Sequence, residues 1–137
     1  MNIRHYRNLS VIVLLIVFNF ASGDFLKWAP TPPMGWNSWD CFGTSVTEGE
    51  VKANADYMAK HLKSYGWQYV VVDIQWYEPK VESYPYNYPS KLDTNIDRYG
   101  RVWPAENKHP SSANGKGFTP LSQYVHGLGL KFGVHMM

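Results

Sequence analysis

Tyr69-Val70-Val71-Val72 restricts the fold of this chain more than any other stretch of its sequence. Consecutive valines predict a strand over residues 68–74 that is buried on both faces, because parallel strands sandwiched between layers lose the apolar–polar alternation. At the C-terminal end of that run stands a carboxylate, Asp73, followed by Ile74, Gln75 and Trp76.

The flanking segments repeat the alternation of strand and helix. Residues 34–39 read as a short first strand entered through Pro32-Pro33. Thr47-Glu48-Gly49-Glu50 is a capping box, with Thr at the N-cap and Glu three residues on. Val51, Ala55, Met58 and Leu62 then fall on one helical face, and Gly66 is placed to stop the helix. A second helix is expected from Thr119-Pro120, with Thr119 as cap and Pro120 at the first helical position. Its apolar face would be Leu121, Tyr124, Val125 and Leu128, and Gly127 and Gly129 would end it. Residues 130–135 form the third strand. The order β-α-β-α-β implies an α/β fold with parallel strands and right-handed crossovers.

Residues 76–118 form a connection too long to be a simple linker. They are rich in Pro, Tyr, Asn, Ser and Gly, and the aromatic residues among them argue against a structureless chain. Asp97-Arg98-Tyr99-Gly100-Arg101 reads as a hairpin turn. The loop carboxylates Glu78, Glu82, Asp93, Asp97 and Glu106 read as solvated.

Residues 1–23 have the layout of a secretory leader: Arg4 and Arg7, an apolar stretch over 9–20, then Ala21-Ser22-Gly23. The apolar run is shorter than the ~20 residues of a membrane span. A mature chain from Asp24 is therefore expected, with no membrane anchor and a destination in the secretory pathway: outside the cell, the cell wall or the vacuole. The whole chain carries 13 basic and 11 acidic residues. Losing Arg4 and Arg7 with the leader balances them, and no basic stripe points to nucleic acid. His61, His109, His126 and His135 lack the spacing of zinc ligands, so neither a metal nor a cofactor is expected. Cys41 is the one cysteine, so it has no internal partner.

In parallel α/β folds, ligands collect at the C-terminal strand ends. Those ends bring Trp36, Asn37, Ser38, Trp39 and Asp40 together with Asp73, Ile74, Gln75 and Trp76, and with His135. An ionised carboxylate can accept two sugar O–H bonds, and an indole can cover a sugar's C–H face. Aromatic residues make up 16% of the chain, a composition suited to carbohydrate.

The blocks PPMGWNSWDCFG, WQYVVVDIQW and YVHGLGLKFGVH resemble, in order, three segments of glycoside hydrolase family 27, the α-galactosidase and α-N-acetylgalactosaminidase family. The form of the leader and the FGVHMM ending point to a plant member. The resemblance implies the N-terminal part of a (β/α)8 barrel, its first three strands and two helices, in residues 24–137. It also implies a galactosyl- or arabinopyranosyl-bearing oligosaccharide or glycan as partner. By the same resemblance, Trp39 would stack on the sugar ring and Asp73 would bind ring hydroxyls. Trp76 matches a tryptophan beside the site, His135 stands where many members have a tyrosine, and Trp36 would pack beneath.

Two departures from the family pattern stand out. Ile74 replaces a second aspartate associated with the 6-hydroxymethyl of galactose. A hydroxyl buried against isoleucine would lose about 1–3 kcal/mol. β-L-arabinopyranose keeps the galactose ring configuration and lacks that group. The open readings are thus an α-galactosidase, in which another group serves the 6-hydroxyl, and a β-L-arabinopyranosidase. Gln75 replaces the cysteine that would pair near Cys41, so that disulfide is not expected. The family's nucleophile lies in a Lys-Tyr-Asp motif after the fourth strand, and its acid/base follows the sixth. No Lys-Tyr-Asp occurs here. No catalytic residue is therefore expected in this chain, which reads as a piece of a longer retaining glycosidase or as a non-catalytic truncated product.

Overall fold

A computed structural model describes residues 27, 30–81 and 93–136. The leader read at 1–23, Glu82 and Met137 lie outside the described residues. Two units, Met1–Pro32 and Pro33–Met137, divide the chain, and every element named below belongs to the second.

The elements run β1 (Gly35–Asn37), α1 (Trp39–Phe42), α2 (Glu48–His61), β2 (Tyr69–Val72), α3 (Thr119–Gly127) and β3 (Lys131–Val134). The strands form one parallel sheet in the order β1-β2-β3. Register pairs Trp36 with Val70 and Asn37 with Val71, then Val70 with Phe132 and Val71 with Gly133. Paired positions share a face, and successive residues alternate.

Helices α2 and α3 cover one face of the sheet. Val70 and Val72 are fully buried there with Val51, Ala55 and Met58 of α2 and Leu121 and Val125 of α3. Trp36, Leu62, Leu128 and Phe132 pack against this core. The expectation of a strand buried on both faces is met on this side alone, since Tyr69 and Val71 on the other face are half-buried. Gly35 is dictated by packing: a Cβ there would lie 2.2 Å from the Tyr69 carbonyl oxygen.

Local chemistry sets the boundaries. Thr47 and Glu50 form the expected capping box, with the Thr47 N–H donating to Glu50 Oε2 at 2.7 Å. Gly66 takes the left-handed conformation (φ 93°) after a 3-10 turn over Lys63–Tyr65. The first strand is shorter than the sequence implies. Asn37 Oδ1 accepts the Trp39 N–H at 2.8 Å, a local turn that leads the chain into α1 instead. The second strand stops at Val72, because the Ile74 N–H is taken by its neighbour Asp73 rather than by the ladder. Thr119 is the first residue of α3 and does not cap it; Phe118 occupies the N-cap without a side-chain bond. Tyr124 leaves the expected apolar face. It is 37% exposed, and its hydroxyl donates to Asp56 Oδ1 of α2 at 2.6 Å.

The described part of the long connection is anchored to the core. Trp76 meets Phe118 edge-on at 5.1 Å, and the Ala105 N–H donates to the Trp76 carbonyl. Ile96 bridges Val102 in antiparallel fashion around the expected turn, with Gly100 at φ 78°.

Candidate functional site

The pleat assembles the site. Asn37, Asp73 and His135 follow the positions of Gly35, Val71 and Gly133, on the face that the helices leave open. Ladder bonding continues past the strands: the Ser38 N–H donates to the Val71 carbonyl at 3.1 Å, and the His135 N–H to the Val72 carbonyl at 2.9 Å. The three strand ends are thus held in register where their polar side chains emerge.

Asp73 is the centre, at 7% exposure. Its Oδ1 accepts the Ile74 N–H at 2.7 Å and lies 2.9 Å from His135 Nδ1. The Asn37 side chain donates to the same carboxylate. Burial pushes its pKa up, but these three donors outweigh it and hold the carboxyl below the ordinary aspartate value. An ionised carboxylate only accepts, so Nδ1 of His135 carries the proton. Of about four acceptor positions on a carboxylate, three are used, which leaves about one for a ligand hydroxyl while His135 stays in place.

The other predicted residues take different places. Ile74 is buried beside the carboxylate. Trp76 belongs to the core, and its indole N–H donates to the His135 carbonyl at 3.1 Å, so it supports the imidazole from behind. Trp39 is half-buried at the start of α1, tied to the site through the Asn37 turn. Trp36 packs under the sheet against Phe42.

The sequence places Asn37 and Ser38 at a ligand-collecting strand end without assigning them partners, and it gives Lys108 no role. Ser38 is fully buried, and its Oγ accepts the Asp73 N–H at 2.9 Å. Lys108, from the long connection, is buried and donates to the Thr44 and Gln75 carbonyls. Ser38 was legible only as a polar residue at a strand end, and Lys108 carried no local signal.

Glu78 corrects the expectation of solvated loop acids. It is 1% exposed and accepts the Asp93 N–H at 2.9 Å and the Thr94 hydroxyl. Burial raises its pKa above the ordinary value, and the nearby Asp93 charge adds to the rise. Cys41 is an exposed free thiol. Among the described residues no group of three His, Cys, Asp or Glu gathers as metal ligands.

No family model matches the chain. It is 32% identical over 126 residues to alpha-galactosidase A of Cellvibrio japonicus, covering 91% of this chain and 26% of that protein. An alpha-galactosidase of Cyamopsis tetragonoloba is 37% identical over 106 residues, covering 77% and 21%. In structure, the chain matches a family 27 β-L-arabinopyranosidase from Geobacillus stearothermophilus, solved with arabinose. There the TM-score is 0.77 and the identity 60%, over 83% of this chain and 26% of that one. The chain belongs to glycoside hydrolase family 27. It spans about a quarter of the length of these relatives. Its parallel sheet and helices are the N-terminal part of the family 27 (β/α)8 barrel. Barrel helices lie outside the strands, so the open face bearing Asn37, Asp73 and His135 is the inner one, and the site sits at the C-terminal mouth.

Proposed function

We propose that this segment forms the sugar-holding rim of a retaining family 27 glycosidase that removes terminal β-L-arabinopyranosyl groups. The observation that carries the reading is the pair Asp73–Ile74: an ionised, buried acceptor followed at once by a buried branched hydrocarbon. Such a pair suits a pyranose with ring hydroxyls and no 6-hydroxymethyl. The 60% identity to an arabinopyranosidase supports it. Trp39 would lie along the sugar's carbon face. Asp73 would take one ring hydroxyl, and His135 would shape the wall beside it.

Family 27 chemistry of this kind needs a nucleophilic carboxylate and an acid/base about 5–5.5 Å apart. Asp73 is already tied to Ile74, Asn37 and His135, and Glu78 is enclosed by its own loop, so neither is assigned those roles. The dyad would come from the parts of the enzyme that follow the third strand. The chain by itself would bind sugar without turning it over. A second reading, α-galactosidase, is favoured by the curated relatives.

Kinetics on p-nitrophenyl β-L-arabinopyranoside and p-nitrophenyl α-D-galactoside separate the two, using the enzyme that carries this segment. A higher kcat/KM on the arabinopyranoside is expected, together with a shift toward galactoside in Ile74→Asp. A strong preference for galactoside in the unaltered enzyme overturns the proposal and leaves the α-galactosidase reading.

A further inference from the structure

Lys108 occupies a position where a hydrocarbon would be the cheaper filling. It is 6% exposed, and removing an ammonium from water is costly unless donors and acceptors are matched. Its Nζ meets two main-chain carbonyls, Gln75 at 2.7 Å and Thr44 at 3.0 Å. Its own carbonyl accepts the Glu48 N–H at 2.8 Å, which fixes the lysine's backbone to the start of α2. Thr44 follows the first strand and Gln75 follows the second, so one ammonium bridges the two segments that flank the site.

Gln75 needs such a restraint. It sits at φ 62°, a left-handed conformation that is strained for a non-glycine residue. Its carbonyl also accepts the Glu78 N–H at 3.0 Å. With Cys41 a free thiol, no disulfide joins these segments among the described residues. Ser38 ties them at the level of Asp73, and Lys108 ties them farther out.

We propose that Lys108 is a positioning residue: it clamps the Gln75 and Thr44 carbonyls together and so fixes the Asp73–Ile74–Gln75 turn against the sugar. The inference rests on the reading of Asp73 and Ile74 as sugar contacts. It deepens that reading by naming what holds them. Burial lowers the Lys108 amine to about 8, against the opposing pull of Glu78. His109 and the Glu48 carboxylate are the other titratable groups of this cluster.

Two measurements test the clamp. In the unaltered full chain, the Lys108 side chain and the Gln75 and Thr44 carbonyls are followed by NMR from about pH 6 to about pH 10. One shared transition is expected, and a Gln75 carbonyl that stays flat while Lys108 titrates overturns the proposal. Arabinose binding is then compared in the unaltered chain, Lys108→Met and Asp73→Ala. Lys108→Met should weaken binding about tenfold, the worth of roughly one hydrogen bond, without faster amide exchange at Val70 and Val72. Unchanged binding in Lys108→Met sinks the clamp, whereas unchanged binding in Asp73→Ala sinks the sugar reading instead. Arabinose that fails to bind the unaltered chain also sinks the sugar reading, and the carbonyl titration alone then decides the clamp.

Discussion

Asp73 and Glu78 stand on either side of one turn, both almost wholly removed from water, yet their pKa values move in opposite directions. Burial is the largest influence on each and pushes both up. At the strand end, three donors converge on Asp73: the Ile74 amide, the Asn37 side chain and the His135 ring. In the long connection, Glu78 receives the Asp93 N–H but also faces the Asp93 charge. Burial therefore does not decide which way an acid's pKa moves; the donors and charges that the fold places around it do. The mouth of the sheet holds a carboxylate gripped by three donors, and the connection holds an acid bonded within its own loop.

Replacing Asp73 by alanine in the enzyme is the most severe way to break this contrast. On the proposed reading, losing a charged acceptor of a sugar hydroxyl should cost about 1.5–3 kcal/mol of affinity, at least tenfold in kcat/KM, measured on the aryl arabinopyranoside. Ser38→Ala strikes the same side of the comparison without touching the carboxylate. It leaves the buried Asp73 N–H without its acceptor, and denaturant unfolding should show a loss of about 1–3 kcal/mol.

The pH dependence of unfolding sharpens the contrast. The folded-state pKa of Asp73 is depressed, so its stabilisation is present above the ordinary value of 3.8 and is lost as pH falls through and below it. For Glu78 it is raised, so the folded state holds the proton more tightly, and stability declines as pH rises from 4.5 through the raised value. Difference profiles of Asp73→Asn and Glu78→Gln against the unaltered protein should therefore slope in opposite senses. Parallel profiles would contradict the assignment. His109 adds a term of its own. Its ring is buried, neither nitrogen has a partner among the described residues, and burial lowers its pKa to about 4. Stability should thus rise with pH from about 4 to the ordinary 6.5. His109→Phe should remove that slope and stabilise by about 1 kcal/mol, since the ring already packs edge-on against Phe118. Thr47→Ala is the mildest change. It removes the α2 cap far from both acids, costs about 1 kcal/mol, and should leave sugar affinity unaltered.

The amino-acid sequence alone determined the alternation of strands and helices, the capping box at Thr47 and Glu50, the turn at Gly100 and the emergence of Asp73 at a strand end. Each is written in neighbours a few residues apart, through periodicity and local hydrogen bonding. The early exit of the first strand was written there too, in Asn37, but the apolar Trp39 concealed it. Only the tertiary structure decided which partners surround each acid. His135 reaches Asp73 across 62 positions, and Lys108 reaches Thr44 across 64. Nothing local distinguishes the buried Glu78 from the exposed Glu106. The charge state of a buried group depends on donors that arrive from remote strands and loops, and those meet only when the sheet has set its register.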